Sequence, residues 1–570
     1  MKIRNIADLN RQAQGYDSHA GATHRSRVEA DRRSFTIIEG DGSDVFSKRV
    51  YYPRIKVLTD GSYIMFHQDG RVSGNCFYTK SNDGLNWTPR RPIFMSYKTT
   101  RDDGVEDFVY WCNCDAQVMP NGEILAFCSY RYRSGYNLHS KYSGIVMKRS
   151  TDNGESWSEG KEIYLGRNWE SAPLLLKSGE LQLYFSHTAP KFYYEPRVKT
   201  DAKIHTSSGS AIIRSYDGGE TWTPDVKAPP YAAHRVTQSY VESLDNGTKC
   251  FTNQMPVAVE LHNGDIALAT ESDMALGRFM LTMSYSHDNW ARSLDIDEDG
   301  PEDKSTAFDY GAGPYIVQFE SGETLLSYNT ADKFHLRLGN EYGKNMTSER
   351  DIIAFDGNPG YWGCLCVDGT HRVLAAMPKV WEDRTTRPWT SDNDMMLCRY
   401  YLNHTLFAHV ADNKNMFDDE AWSDHTDALF LGAETDSQLS LGFAHDDEYI
   451  YIRSDRLDRN LDDCSSEKIY MNIGDDKYII SRQYSGVTVD LNGDSIDVDC
   501  ITAFVNNSDS DNSDEWGLAA IYAIKKARKD IRSLCVYAEL TEKNEKGIVT
   551  CGFSAIDKEN ADTWFEVVFK

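Results

Sequence analysis

Four acidic side chains, Asp69, Asp115, Glu170 and Glu271, stand at the ends of strand-like stretches in the first half of the chain. Two carboxylates facing one bond can serve as general acid and base, or as acid and nucleophile, in breaking a glycosidic link. Arg54 and Arg131 occupy comparable places, and a guanidinium fork suits bidentate recognition of a carboxylate. Gln254, His187, Tyr328 and Trp362 add polar and aromatic groups of the kind that line a sugar site. The same residues permit two other readings. In a lyase, His187 with Tyr130 or Tyr328 would supply base and acid. A non-catalytic carbohydrate-binding surface would need neither role.

These residues come together only if the chain repeats, and it does. The motif S-x-D-x-G-x-x-W reads Ser81 to Trp87, Ser150 to Trp157 and Ser215 to Trp222, with spacing that varies by one residue. A degenerate copy runs Ser286 to Trp290. The Asp carboxylate can accept backbone N–H bonds inside the turn, the Gly permits positive φ, and the Trp buries a large ring. The motif is therefore a hairpin staple and a ruler, not a catalytic site. A second series places a tight turn between two β-rich runs. The turns are Asp60-Gly61, Asn121-Gly122, Ser178-Gly179, Asn263-Gly264, Ser321-Gly322 and Asp368-Gly369. Their spacing of roughly 50–85 residues is that of propeller blades. Six blades follow, from about residue 34 to residue 404, and the segment Ser34–Glu39 could close the ring on the last blade. This register brings the starts of the first strands and the ends of the second strands to one mouth. Arg54, Asp69, Asp115, Arg131, Glu170, His187, Gln254, Glu271, Tyr328, Tyr361 and Trp362 all fall there.

The repeated staple, with a hairpin before each copy, resembles the Asp-box sialidase superfamily of six-bladed propellers. Tyr52-Pro53-Arg54-Ile55 is similar to its Arg-Ile-Pro signature, with the proline before the arginine. The resemblance implies an exo-acting glycoside hydrolase removing a terminal, acidic sugar such as a sialic or other keto-deoxy sugar. It also implies roles: Arg54 on the substrate carboxylate, Asp69 as acid/base, and Tyr361 as nucleophile. This chain departs from the pattern elsewhere. Glu271 stands where the family has its second arginine, and Gln254 stands where it has its assisting glutamate. Arg337 is the nearest candidate for the third arginine. The carboxylates Asp69, Asp115, Glu170 and Glu271 then offer an alternative acid–base pair. The scaffold also suits an exo-arabinanase-like hydrolase or a lyase acting on a neutral or uronic-acid-containing polysaccharide.

Hairpins and staples end near residue 405. Residues 1–33 read as an N-terminal extension, 34–404 as the propeller, and 405–570 as a β-sandwich. The stretches Asp427–Gly432 and Leu441–Asp447 look like carbohydrate-binding sandwiches, although a purely structural sandwich fits equally. The expected fold class is therefore all-β, a propeller followed by a sandwich. With 87 acidic and 61 basic residues the net charge is −26, the wrong sign for tracking a phosphate backbone. No apolar run approaches the ~20 residues of a membrane-spanning helix. The expected partner is a glycan or polysaccharide, with neither nucleic acid nor membrane insertion, and the oligomeric state is left open. The 12 cysteines contain no C-x-x-C pair and read as buried core thiols rather than a metal site. No nucleotide, flavin or haem motif is present, so no cofactor is expected, and a calcium ion buried in the propeller stays compatible with the sequence. The N-terminus lacks the apolar core of a secretory leader, which fits an intracellular protein or one whose leader was removed.

Overall fold

Five of the six turn glycines adopt the left-handed conformation the turns require: Gly61, Gly122, Gly179, Gly264 and Gly322 have φ between 84° and 113°. Each donates its N–H to the carbonyl three residues back, as Gly61 does to Leu58 at 3.0 Å. The sixth turn differs, because Gly369 pairs with Arg372 inside the ladder. These are the turns of a computed structural model describing residues 27–38, 45–46, 49–70, 74–190, 206–226, 232–237, 253–272, 279–291, 306–330, 333–346, 351–356, 362–380, 393–411, 415–422, 427–432, 437–458, 462–506, 516–545, 547–553 and 556–569.

The hairpins build six antiparallel sheets, five of four strands and one of five. Their first strands are Tyr51–Val57, Glu106–Val118, Asn168–Leu175, Gln254–Glu260, Ala312–Gln318 and Cys364–Gly369. Each first strand touches the next, and the sixth touches the first, so they surround a central channel as the inner strands of a six-bladed β-propeller. The ring closes through Arg27–Ile38, which pairs antiparallel with Asn393–Asn403 and forms the outer strand of blade 6. This strand starts earlier than the expected segment at Ser34. A closed ring leaves few unpaired strand edges.

The S-x-D turns join blade to blade. In the second copy Ser150 Oγ donates to Asp152 at 2.8 Å and accepts the Gly154 N–H at 2.9 Å. Asp152 also accepts the Ser156 N–H at 2.9 Å. The tryptophan then packs on the preceding blade: Trp157 lies edge-on to Phe66 at 5.9 Å, and Trp222 to Phe127 at 5.7 Å. Trp290 donates its indole N–H to the Tyr184 hydroxyl at 2.6 Å. Blade 5 keeps the turn with Asn340 in place of the Ser–Asp pair; its Oδ1 accepts the Tyr342 and Lys344 N–H groups. Ser150→Ala removes a buried donor and acceptor together and is expected to cost about 1–3 kcal/mol, read as a lower denaturant midpoint at unchanged slope.

After Asn403 the chain forms a β-sandwich. Leu406–Val410 runs parallel to both Ser437–His445 and Phe565–Phe569 and joins two sheets. Leu441, Ile452, Met471, Val536 and Phe565 fill one core between them. The sandwich docks on blade 6. Asn403 accepts the Phe430 N–H at 2.8 Å and donates to its carbonyl at 2.7 Å, and Tyr401 stacks on Phe430 at 4.2 Å.

Candidate functional site

The inner strands share an irregularity that shapes the channel mouth. In each of the first five blades the first strand's pairing slips by one residue, near its start in blades 1, 3, 4 and 5 and after Cys112 in the longer strand of blade 2. The extra residues are Tyr52, Asn113, Glu170, Met255 and Gly313, and Trp362 precedes the sixth inner strand. All six have φ between 50° and 66°. A bulge re-aims a side chain, and left-handed non-glycine residues persist only where their surroundings hold them. Here neighbouring blades hold them. Asn113 donates its N–H to Gln68 at 2.7 Å, Glu170 to Asn113 at 3.5 Å, Met255 to Ser186 at 2.7 Å, and Gly313 to Glu271 at 2.6 Å. Between blades 1 and 6, Arg54 Nη1 donates to the carbonyls of Pro53, Trp362 and Gly363 at 2.7, 3.2 and 3.3 Å. Tyr52 and Trp362 stack flat at 4.2 Å, with Tyr51 and Met255 against them.

Glu170 and Glu271 lie within electrostatic reach of Tyr52 at this ring, and Glu271 feels the charge of Glu170. Glu271 is 4 % exposed. One of its oxygens accepts the Gly313 N–H and the other the Gln254 amide at 2.8 Å. Burial pushes its carboxyl up to about 7 against those two hydrogen bonds, and the charge of Glu170 adds to the rise. Glu170 keeps part of its surface open, although protein surrounds it, as expected for a side chain on a narrow channel wall. Burial also raises it to about 7, while Ser186, Arg131, Arg54 and the Met255 N–H favour its anion. Burial, together with the charges of Glu170 and Glu271, pushes the Tyr52 hydroxyl well above the usual phenol range. Arg131 lies 3.6 Å over the Trp169 ring, and the indole N–H of Trp169 donates to Tyr136 at 2.9 Å.

Side chains of three blades perform the same structural duty. Gln68, Ser186 and Glu271 all cap the bulge N–H of the following blade. Neutral side chains do this in blades 1 and 3. Blade 4 alone among these uses an acid, and it lies beside a second acid.

The other residues expected at the mouth take different places. Asp115, 2 % exposed, binds Lys56 at 2.9 Å and approaches Arg54 at 3.9 Å. Burial would lower the Lys56 ammonium, but Asp115 reverses this and holds it raised. Asp115 is thus the counter-ion of two buried cations. Asp69 has one oxygen on the Asn75 N–H at 2.7 Å and the other on the Asn75 amide at 2.9 Å, closing the loop between the second and third strands of blade 1. His187 is fully buried; desolvation and then Arg235 lower it to about 3. Tyr328 is buried in blade 5, where it accepts a hydrogen bond from Arg337 at 2.8 Å and stacks on His335. Arg337 also reaches Asp309 at 3.0 Å, and Tyr130 donates to Glu162. Tyr130, His187 and Tyr328 stand on the second strands of blades 2, 3 and 5. Tyr361 lies outside the described residues. Among the described residues no group of three or more His, Cys, Asp or Glu side chains is placed to hold a metal ion.

Sequence reasoning missed Tyr52, Lys56, Gln68, Met255 and Gly313. A signal was present for the bulges: Tyr52, Met255 and Gly313 are each followed by a proline, Pro53, Pro256 and Pro314. Proline has no N–H to give to a ladder, so it fits where pairing breaks.

No family profile matches this sequence, and no curated protein matches it. Solved structures do. A protein of unknown function from Dyadobacter fermentans is 14 % identical, covers 67 % of this chain and 100 % of its own, and has a TM-score of 0.43. The Ruminococcus gnavus intramolecular trans-sialidase, solved with oseltamivir carboxylate, gives 11 %, 64 %, 97 % and 0.42 in the same order. Trypanosoma rangeli sialidase, solved with sialic acid, gives 10 %, 96 %, 98 % and 0.38. The six-bladed propeller itself is carried by the pairing and contacts of this chain's own strands. No residue role follows from identities this low.

Proposed function

We propose that this protein is an exo-acting glycoside hydrolase that removes a terminal, acidic sugar at the propeller mouth, with Glu271 as general acid and Glu170 as its partner. The observation that carries this reading is a pair of desolvated carboxylates in neighbouring blades, both raised to about 7, with Glu170 on the bulge of blade 3 and Glu271 on the second strand of blade 4, capping the bulge of blade 5. Two acids in one low-dielectric site do not both ionise readily. The shared negative charge belongs on Glu170, because Arg131 and Arg54 favour its anion. The proton belongs on Glu271, which has no such cation and feels the charge of Glu170.

The chemistry follows from that division. Glu271 gives its proton to the glycosidic oxygen as the bond from that oxygen to the anomeric carbon breaks. Glu170 answers the positive charge left on the sugar, either by taking a proton from the attacking water or by direct attack. The half-buried Trp362 ring, backed by the buried Tyr52, offers an apolar face for a sugar. The guanidinium charge at the mouth favours an acidic sugar over a neutral one. Because the net charge of −26 repels such a substrate at long range, the attraction must be local.

The test is a screen of sialosides, keto-deoxy sugar glycans, uronic-acid polysaccharides and arabinan, with mass detection of released monosaccharide. Release of an acidic monosaccharide supports the reading. Release from arabinan alone rejects the acidic substrate, and an unsaturated uronate product rejects hydrolysis.

A further inference from the structure

Blade 2 is built differently from the others. An added strand, Tyr97–Thr100, pairs with the front of the long inner strand Glu106–Val118, and the second strand Ile124–Tyr132 extends beside it. Residues 106–111 precede the bulge at Asn113, so this three-stranded arm continues the blade past the channel mouth. Its register assigns the faces. Lys98 lies opposite Phe108, and Tyr110 opposite Arg131, so these four share one side of the arm. The other side is used for packing, with Trp111 against Phe94 at 4.9 Å and Tyr132 against Tyr142 at 5.2 Å.

On the first side the groups form a continuous track. The Lys98 ammonium lies 6.0 Å over the Phe108 ring, and Phe108 stacks with Tyr110 at 5.6 Å and 22°. Tyr110 adjoins Arg131, which covers Trp169, and Trp169 directly precedes Glu170. Phe108 and Tyr110 are half-buried and Lys98 is exposed. Cations and ring faces thus alternate from the arm towards the carboxylate pair.

We propose that this side of the blade 2 arm binds the leaving-group side of an anionic glycan chain, whose sugar rings stack on Phe108 and Tyr110 and whose acid groups meet the exposed Lys98, with the buried Arg131 linking the track to Trp169. A sugar ring presents a C–H face that packs on an aromatic ring, and its acid substituents need cations beside that ring. Continuity with the mouth sets the polarity: the terminal sugar lies at Glu170 and the rest of the chain runs out along the arm. The inference rests on the acid–base reading for this polarity, but its test needs binding only.

The full chain is run through native gels containing polysialate, polygalacturonate or heparin, with neutral dextran as the control. Retardation in at least one acidic gel and none in dextran is expected. The double variant Phe108→Ala/Tyr110→Ala should weaken retention about tenfold or more, and Lys98→Glu should weaken it without loss of thermal stability. No retardation in any acidic gel, equal retardation in dextran, or unchanged retention in both variants overturns the proposal. Should the double variant not fold, the exposed Lys98→Glu change decides the matter. Retention by a protein that hydrolyses nothing would keep the arm and remove the acid–base pair, so the two failures are distinguishable.

Discussion

Glu271→Gln is expected to lower kcat by about two to four orders of magnitude while the protein stays folded. Glutamine preserves the shape and still accepts the Gly313 N–H, the duty that Gln68 performs for Asn113 in blade 1. A structural role would therefore survive the change, and a proton-donating role would not. The same variant has a signature in stability. The folded value of Glu271 stands near 7 and its ordinary value is 4.5. The folded protein therefore holds a proton between these values that the unfolded chain has lost. Below about pH 4.5 both states are protonated and wild type has its full stability. Stability falls as pH rises towards and through 7, where the buried carboxyl must ionise. Glutamine has nothing to ionise. The variant should match wild type near pH 4.5 and exceed it at pH 8 by on the order of 1–3 kcal/mol. Equal stability at both pH values would contradict the buried acid. The activity profile should be bell-shaped and centred near neutrality, since one group must be charged and its neighbour protonated.

Asp115→Ala should act in the opposite way, through the fold and not the chemistry. It leaves the Lys56 ammonium and the Arg54 guanidinium buried without their carboxylate. Breaking a buried pair by removing one partner costs about 3–5 kcal/mol. Denaturant unfolding should show a correspondingly lower midpoint, and a loss under about 1 kcal/mol would mean that water or other groups already compensate these cations. The difference between Asp115 and Glu271 shows why a carboxylate at the mouth is not by that fact a catalyst. Asp115 sits beyond its bulge, at the level of Arg54 and Lys56. Glu271 caps the bulge of the next blade and feels the charge of a second acid, Glu170.

This distinction marks how far the sequence could be read. The glycines at 61, 122, 179, 264 and 322 announce their turns because only a residue without a Cβ adopts those φ values freely. The S-x-D turns announce themselves because their hydrogen bonds are local. Together they make the blade count and the ring legible. The mouth was legible to the level of which strand ends meet there, which is why Glu170, Glu271 and Gln254 appear on it. The bulges were not legible. A one-residue slip turns every following side chain to the other face. Tyr52 therefore enters the site, while Arg54, two residues on, holds blade 1 to blade 6. His187 differs for a simpler reason, the alternation of the strand: Ser186 caps the next blade's bulge while His187 is fully buried. Asp69 carries no local sign that Asn75 occupies both its oxygens.

In the proposed reaction Glu170 and Glu271 cleave a glycosidic bond by hydrolysis. The most direct measurement is to incubate the protein with the glycan panel in water enriched in the heavy oxygen isotope, beside Glu170→Gln and Glu271→Gln, and to weigh the released sugar. Wild type is expected to release an acidic monosaccharide carrying one heavy oxygen, and either variant to release it at least about a hundredfold more slowly. Release at the wild-type rate from both variants, or an unsaturated product without solvent oxygen, would contradict it.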